Sequence, residues 1–293
     1  MHSFDDFRAI VKADEPLAPL TWFRLGGPAA FLARPGSVEE LAALLNRARE
    51  LGLPARILSG GSNVLVRDEG VPGLVIHLES PLFSDVKIEG SRVHVGAAVP
   101  LTALISQTAR AGLAGLEVLT GIPGTVGGSL RANSGGRQGA IGTTVRRATV
   151  LDDSGTIQVR ERDEIAFGYR TSDLDEPVIV SAEFELEPED PETVVKRMRR
   201  IWIIKKENQP YGHQSSGCIF KNPAPEISAG ALIEQAALKG LRIGGAEVSD
   251  RHANFIVAQP GTKSADVLSL IDQIKTRVHD QTGFDLELQI NIW

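Results

Sequence analysis

Two glycine-rich stretches constrain this chain more than anything else in it. The first is Leu58-Ser59-Gly60-Gly61-Ser62-Asn63-Val64-Leu65. The second is Thr120-Gly121-Ile122-Pro123-Gly124-Thr125-Val126-Gly127-Gly128-Ser129, continuing to Asn133-Ser134-Gly135-Gly136. Neither has the Gly-x-Gly-x-x-Gly spacing of a dinucleotide fingerprint, and neither ends in the Gly-Lys-Ser/Thr of a phosphate loop. Glycine still serves the same physics: it permits positive φ and lets backbone N–H groups come close to phosphate oxygens. Ser59, Ser62, Asn63 and Thr125 add uncharged donors. Two such loops, each following an apolar segment, read as the cradle of a long diphosphate ligand such as FAD. Ordinary turns are the plainer alternative. The cradle residues are Ser59, Gly60, Gly61, Ser62, Asn63 and Val64 on the first loop. On the second they are Gly121, Pro123, Gly124, Thr125, Gly127 and Gly128.

The chain between and around the loops is mixed α and β, and 293 residues are too many for one ordinary core. Ser37 followed by Glu40 predicts a capped helix with Leu41, Leu44, Leu45 and Ala48 on its apolar stripe. Strands are expected at Arg56–Leu58 and Leu74–Ile76, and this first unit runs over residues 1–82. The second, 83–200, carries hairpins around Glu89-Gly90 and Asp153-Ser154-Gly155, a helix at Pro100–Ala111 and a long strand at Val178–Leu186. A helix from Pro191 to about Glu207 has Val194, Val195, Met198, Ile201 and Trp202 on one side. The third unit, 201–293, has helices at 229–239 and 265–279, a strand at 254–258 and a closing strand at 284–292, which is expected to pack back on the cofactor part.

A hydrophobic content of 42%, a charged content of 23% and a net charge of −6 describe a soluble globular chain and argue against a nucleic-acid binder. Lys196, Arg197, Arg199 and Arg200 form the densest basic cluster, read as a solvated helix face. No run of ~18 apolar residues is present, and Met1–Asp6 lacks the features of a signal peptide. One cysteine makes no internal disulfide, so a reduced, cytoplasmic setting is expected. No metal site, no membrane partner and a monomer are expected.

That cysteine lies in Gln214-Ser215-Ser216-Gly217-Cys218-Ile219-Phe220-Lys221-Asn222-Pro223. A thiol, two hydroxyls, an ammonium and an amide in ten positions read as an active-site turn facing the cofactor. A buried, inert cysteine is the alternative.

These residues resemble the UDP-N-acetylenolpyruvoylglucosamine reductase family over nearly the whole chain. The resemblance rests on Thr21-Trp22-Phe23-Arg24-Leu25-Gly26-Gly27, Gly60-Gly61-Ser62-Asn63, Gly121–Gly128, Phe167-Gly168-Tyr169-Arg170-Thr171-Ser172, Gly217–Pro223 and Ser249-Asp250-Arg251-His252-Ala253-Asn254-Phe255, in that order. The short connection from Arg170 to Cys218 resembles the branch lacking an extra substrate-covering loop. The resemblance implies an α+β protein. It would pair an FAD-binding fold of the vanillyl-alcohol-oxidase type, in two subdomains, with a C-terminal α+β substrate domain. It implies non-covalent FAD, NADPH as reductant, and an enolpyruvyl ether of UDP-N-acetylglucosamine as the UDP-sugar substrate, reduced to UDP-N-acetylmuramate.

By the same resemblance Arg170 faces the developing enolate, and Lys221 and Asn222 meet the substrate's diphosphate and sugar. Glu234, His252 and Asn254 are weaker candidates. Two departures stand out. Cys218 occupies the position of the family's usual serine proton donor. A thiol, with an ordinary pKa near ~8.5, is the stronger acid and is still mostly protonated at neutral pH. Gln289 occupies the position of a carboxylate in the last strand, and an amide does not relay a proton. Glu287 lies two residues away on the same strand face. Two alternatives follow: an FAD-dependent oxidase or dehydrogenase of a small alcohol or sugar, and a catalytically impaired nucleotide-binding flavoprotein.

Overall fold

The computed structural model describes residues 4–293; of the N-terminal segment read above, Met1–Ser3 lie outside the described residues. The chain divides into two compact units. One comprises the residues up to Glu15, Ala30–Gly60 and Pro72–Ile203. The other comprises Pro16–Ala29, Gly61–Val71 and Ile204–Trp293. Two short segments from the first quarter of the sequence therefore fold with the C-terminal residues.

The first unit holds two main sheets and three two-stranded pairings. Strands Val11–Pro16, Pro28–Ala33, Val71–His77 and Ala55–Leu58 lie in that order, the last two parallel, with Leu58 opposite His77. Helix α1, Val38–Glu50, belongs to the same core through Leu41, Leu44, Leu45 and Ala48. Its start follows the sequence expectation. Ser37 Oγ accepts the Glu40 N–H at 3.2 Å, and Glu40 Oε2 accepts the Gly36 N–H at 2.6 Å. The second sheet is antiparallel throughout: Ile157–Glu161, Val145–Leu151, Val178–Glu185, Arg92–Gly96 and Val86–Glu89. Its apolar face shares a core with α2, Leu101–Arg110, and α3, Val126–Arg131.

Helix α4, Pro191–Asn208, buries Val194 but leaves Trp202 41% exposed, on the same side as Met198 yet outside the buried core. Arg197 also departs from the solvated face. It donates to the buried Glu117 at 3.0 and 2.8 Å and to Glu189 at 2.8 and 2.6 Å.

The second unit packs α5, Ala229–Gln235, and α6, Ser264–Thr282, with a three-stranded sheet of Arg242–Ile243, Ala246–Val248 and Ile256–Ala258. Helix α5 stops short of residue 239 because Ala237 turns left-handed, with φ +55°. The closing strand is not continuous. Leu288 bridges Phe220, whereas Asn291–Ile292 pair in parallel with Val64–Leu65. The segment changes partners midway, which divides what periodicity reads as one strand. No described helix is long and apolar enough to cross a membrane.

Candidate active site

The two glycine-rich loops meet in the first unit at Ser59-Gly60 and Gly124-Thr125. Ser59 Oγ and Thr125 Oγ1 are hydrogen-bonded to one another. A Cβ on Gly60 would stand 3.1 Å from Gly124 Cα, so a side chain there would push the loops apart by a few tenths of an ångström. Gly124 itself has φ +106°. The second loop is stitched to the segment before α2: Leu101 N–H donates to Gly124 O, Val126 N–H to Val99 O and Gly127 N–H to Ala97 O, at 2.9–3.0 Å. The N–H groups of Gly124 and Thr125 donate to no acceptor among the described residues. Ser129, 2% exposed, likewise has a hydroxyl with no protein partner. Its position just after Gly127-Gly128 was the only sequence signal for it.

The rest of the first loop belongs to the second unit. Gly61 has φ +58°, and a Cβ there would stand 2.1 Å from the Leu20 carbonyl oxygen. Gly61 O accepts the Trp22 N–H at 3.0 Å. The N–H groups of Gly61, Ser62 and Asn63 donate to no acceptor among the described residues. Asn63 is tied to the C-terminal segment, its Nδ2 donating to Gln289 O and its carbonyl accepting the Asn291 N–H, both at 3.0 Å. Val64 pairs with Asn291. Buried backbone donors are almost always matched. Gly61 and Thr125 are buried, so the unmatched N–H on each loop, taken within its own unit, asks for an acceptor oxygen.

Arg170 sits in the first unit at the tip of a tight hairpin, where Phe167 pairs with Ser172 and Gly168 with Thr171. Its φ is +58°. Left-handed backbone at a non-glycine residue costs on the order of 1 kcal/mol and gathers at functional sites. One guanidinium nitrogen, Nη1, donates to Gly135 O at 2.7 Å, whereas Nε is buried without a partner among the described residues. Asn133 ties this hairpin to the end of the second glycine-rich stretch: its Nδ2 donates to Gly168 O at 2.8 Å and its Oδ1 accepts the Gly142 N–H at 3.1 Å. A cavity of about 280 Å³ opens beside Gly121, lined by Thr102, Ile105, Met198 and Trp202 among others.

The cysteine turn lies in the second unit, and Cys218 is half-buried. Gly217 precedes it at φ +81° in open space. Cys218 bridges Phe255, and the residues after it are held from two sides. Gln289 N–H donates to Ile219 O and Lys221 N–H to Glu287 O, both at 2.8 Å. On the other side Ile219 N–H donates to Asn254 O at 2.9 Å. The Ser215 and Ser216 hydroxyls are buried and have no partner among the described residues.

Lys221 Nζ lies 2.5 Å from Glu287 Oε1. The carboxylate nearest in sequence to Gln289 is thus engaged with the lysine, and Glu287 is itself 73% exposed. Asn222 Oδ1 accepts the Ala229 N–H at 3.1 Å, at the start of α5. Glu234 pairs with Lys239 at 2.8 Å on the surface. His252 stacks on Phe255 with ring centroids 4.8 Å apart, and its Nδ1 accepts the Asn254 N–H at 3.2 Å. Burial, and then the charge of Lys239, lower the His252 pKa.

Comparison with known proteins supplies what geometry within each unit does not. Residues 209–293 match the family described as UDP-N-acetylenolpyruvoylglucosamine reductase, C-terminal domain, and residues 29–160 match the FAD binding domain. The chain is 39% identical over 289 residues to the UDP-N-acetylenolpyruvoylglucosamine reductase of Heliobacterium modesticaldum, covering 98% of this chain and 92% of that one. The enzyme of the same name from Syntrophobacter fumaroxidans is 43% identical over 287 residues, covering 96% and 83%. The crystal structure of the reductase from Thermus caldophilus superposes with a TM-score of 0.83 at 38% identity, covering 97% and 98%.

Proposed function

The chain belongs to the UDP-N-acetylenolpyruvoylglucosamine reductase family, and from that premise we propose how its own residues serve the reaction. The enzyme reduces the enolpyruvyl ether of UDP-N-acetylglucosamine to UDP-N-acetylmuramate, with FAD as cofactor and NADPH as reductant, in peptidoglycan precursor synthesis. The family membership removes the basis for the small-alcohol oxidase alternative. We assign FAD to the parts spanning residues 1–82 and 83–200, and the nucleotide substrate to 201–293.

The observation that carries the FAD assignment lies in the first unit: the unmatched backbone N–H groups of Gly124 and Thr125, where the loops meet through Ser59 and Thr125. They fit phosphate oxygens held by neutral donors, to which the Ser59 and Ser129 hydroxyls add. When bound, FAD supplies the hydride acceptor and donor that links NADPH to the substrate.

The residues of the chain do the rest. Addition of a hydride to one carbon of the enol ether builds negative charge beside the substrate carboxylate. Arg170, its Nε left without a partner among the described residues, is the cation we assign to that charge. Cys218 then delivers the proton to the neighbouring carbon. Lys221 and Asn222 take the diphosphate and sugar, and Lys221 exchanges Glu287 for phosphate oxygens when substrate arrives. Gln289 orients the turn through its backbone bond to Ile219 and stands where an acid is expected, so proton delivery rests on the thiol alone. A reduced, cytoplasmic setting is what we infer from the single cysteine, and we propose a monomer.

The test is anaerobic. Purified protein should carry yellow FAD absorbance, bleach with NADPH and regain colour on addition of the enolpyruvyl nucleotide. A colourless protein that takes up no FAD ends the reading. A flavoprotein that bleaches but is not reoxidised by the nucleotide supports the impaired form that Gln289 raises.

A further inference from the structure

The ladder between the cysteine turn and the strand after Asn254 stops early. Cys218 bridges Phe255, and Ile219 N–H reaches Asn254 O at 2.9 Å, but the chain before Asn254 turns away, with Phe255 N–H closing back on His252 O at 2.9 Å. Phe220 is therefore left with a buried N–H and a buried C=O on that side. The Asn254 side chain meets both. Its Oδ1 accepts the Phe220 N–H at 2.9 Å, and its Nδ2 donates to Phe220 O at 2.8 Å. One amide thus stands in for the missing peptide rung. Asn254 is 3% exposed and Phe220 is 1% exposed, so water does not compete for these bonds.

Three bonds from a single residue fix the two positions that follow Cys218. The fourth neighbour, His252, accepts the Asn254 N–H through Nδ1 and so fixes Asn254 in turn. Only asparagine or glutamine carries an acceptor and a two-hydrogen donor on one planar group, and only asparagine does so at this length.

We propose that Asn254 is the positioning residue for the Cys218 thiol: its side-chain amide, clamped on the Phe220 backbone, holds the thiol where the proton is delivered. The proposal rests on the reading of Cys218 as proton donor. It assigns Asn254 a role in turnover without contact to the substrate.

The experiment uses the FAD-loaded protein and the Asn254→Asp and Asn254→Ser variants. Because the chain has one cysteine, alkylation by iodoacetamide reports on Cys218 alone, followed by intact mass. At pH 7.5 the aspartate keeps the acceptor for Phe220 N–H but places a charged oxygen against Phe220 O; the serine is too short to hold both. In both variants kcat should fall at least tenfold, with FAD content and the KM for NADPH within twofold of wild type. The alkylation rate should change at least threefold. Folded variants with kcat and alkylation rate both within twofold of wild type overturn the proposal. Loss of the fold in both variants overturns it equally, since Asn254 is then a folding residue. A Cys218→Ala control separates the two readings. If that variant keeps full turnover the donor assignment fails, whereas the alkylation rates still decide whether Asn254 holds the thiol.

Discussion

At the residue scale the proposed chemistry comes down to a thiol, a guanidinium and an amide. Cys218→Ala should keep FAD and bind nucleotide but lose at least about 100-fold in kcat, the lower range for removal of a positioned acid. Cys218→Ser should recover part of it, and stopped-flow reoxidation of the flavin reads both. Gln289→Glu restores a carboxylate beside the Ile219 rung. A rise in kcat with a new acidic limb in its pH profile is expected, and an unchanged profile removes position 289 from the proton path. Arg170→Ala should cost 100-fold or more in kcat. The role of Arg170 is readable in sequence only through its motif. Its left-handed backbone and its bond to Gly135 O are properties of a folded hairpin. The engagement of Glu287 by Lys221 was equally invisible, since residues 221 and 287 become neighbours only when two distant segments pair.

At the element scale, loops and helix ends carry the consequences. Gly124 lies at φ +106° against Gly60, so Gly124→Ala strains the backbone at the loop contact. FAD affinity, measured by fluorescence titration, should fall at least tenfold; unchanged affinity would take the second loop out of the cradle. Helix α6 begins on a partner 196 positions earlier in the sequence. Ser264 N–H donates to Asp68 Oδ1 at 2.9 Å and Ala265 N–H to Asp68 Oδ2 at 3.3 Å, while Asp68 N–H donates to Ser264 Oγ at 2.8 Å. Burial pushes the Asp68 carboxyl up, but these bonds outweigh it and leave the pKa low. Asp68→Ala should cost about 1 kcal/mol, the usual worth of a cap, read from urea midpoints. Helix α1, by contrast, carries its whole cap in Gly36-Ser37-x-x-Glu40 and was legible as it stands.

At the scale of the whole molecule, two half-buried histidines contribute to the response to acid. Burial lowers the pKa of His77, opposed by Glu79, and burial with Lys239 lowers that of His252. In the unfolded chain both titrate near ~6.5. Below that pH the unfolded state binds protons that the folded state refuses, so stability is full above it and falls as pH drops through the unfolded value. The urea midpoint should decline from pH 7.5 to pH 5.5, and a flat midpoint contradicts it. The amino-acid sequence by itself determined what is local or periodic: α1 and its cap, the two hairpins of the antiparallel sheet, the glycine loops with their uncharged donors, and a lone thiol in a polar turn. Each depends on neighbours within a few residues, where backbone preference and side-chain spacing act directly. Only the tertiary structure decided which distant backbones share hydrogen bonds. It divided the closing segment between Phe220 and Val64, placed Pro16–Ala29 and Gly61–Val71 with the C-terminal residues, and set Asn254 beneath the cysteine turn. The reason is physical: a buried peptide group must find a partner, and which partner it finds depends on packing that no local pattern encodes.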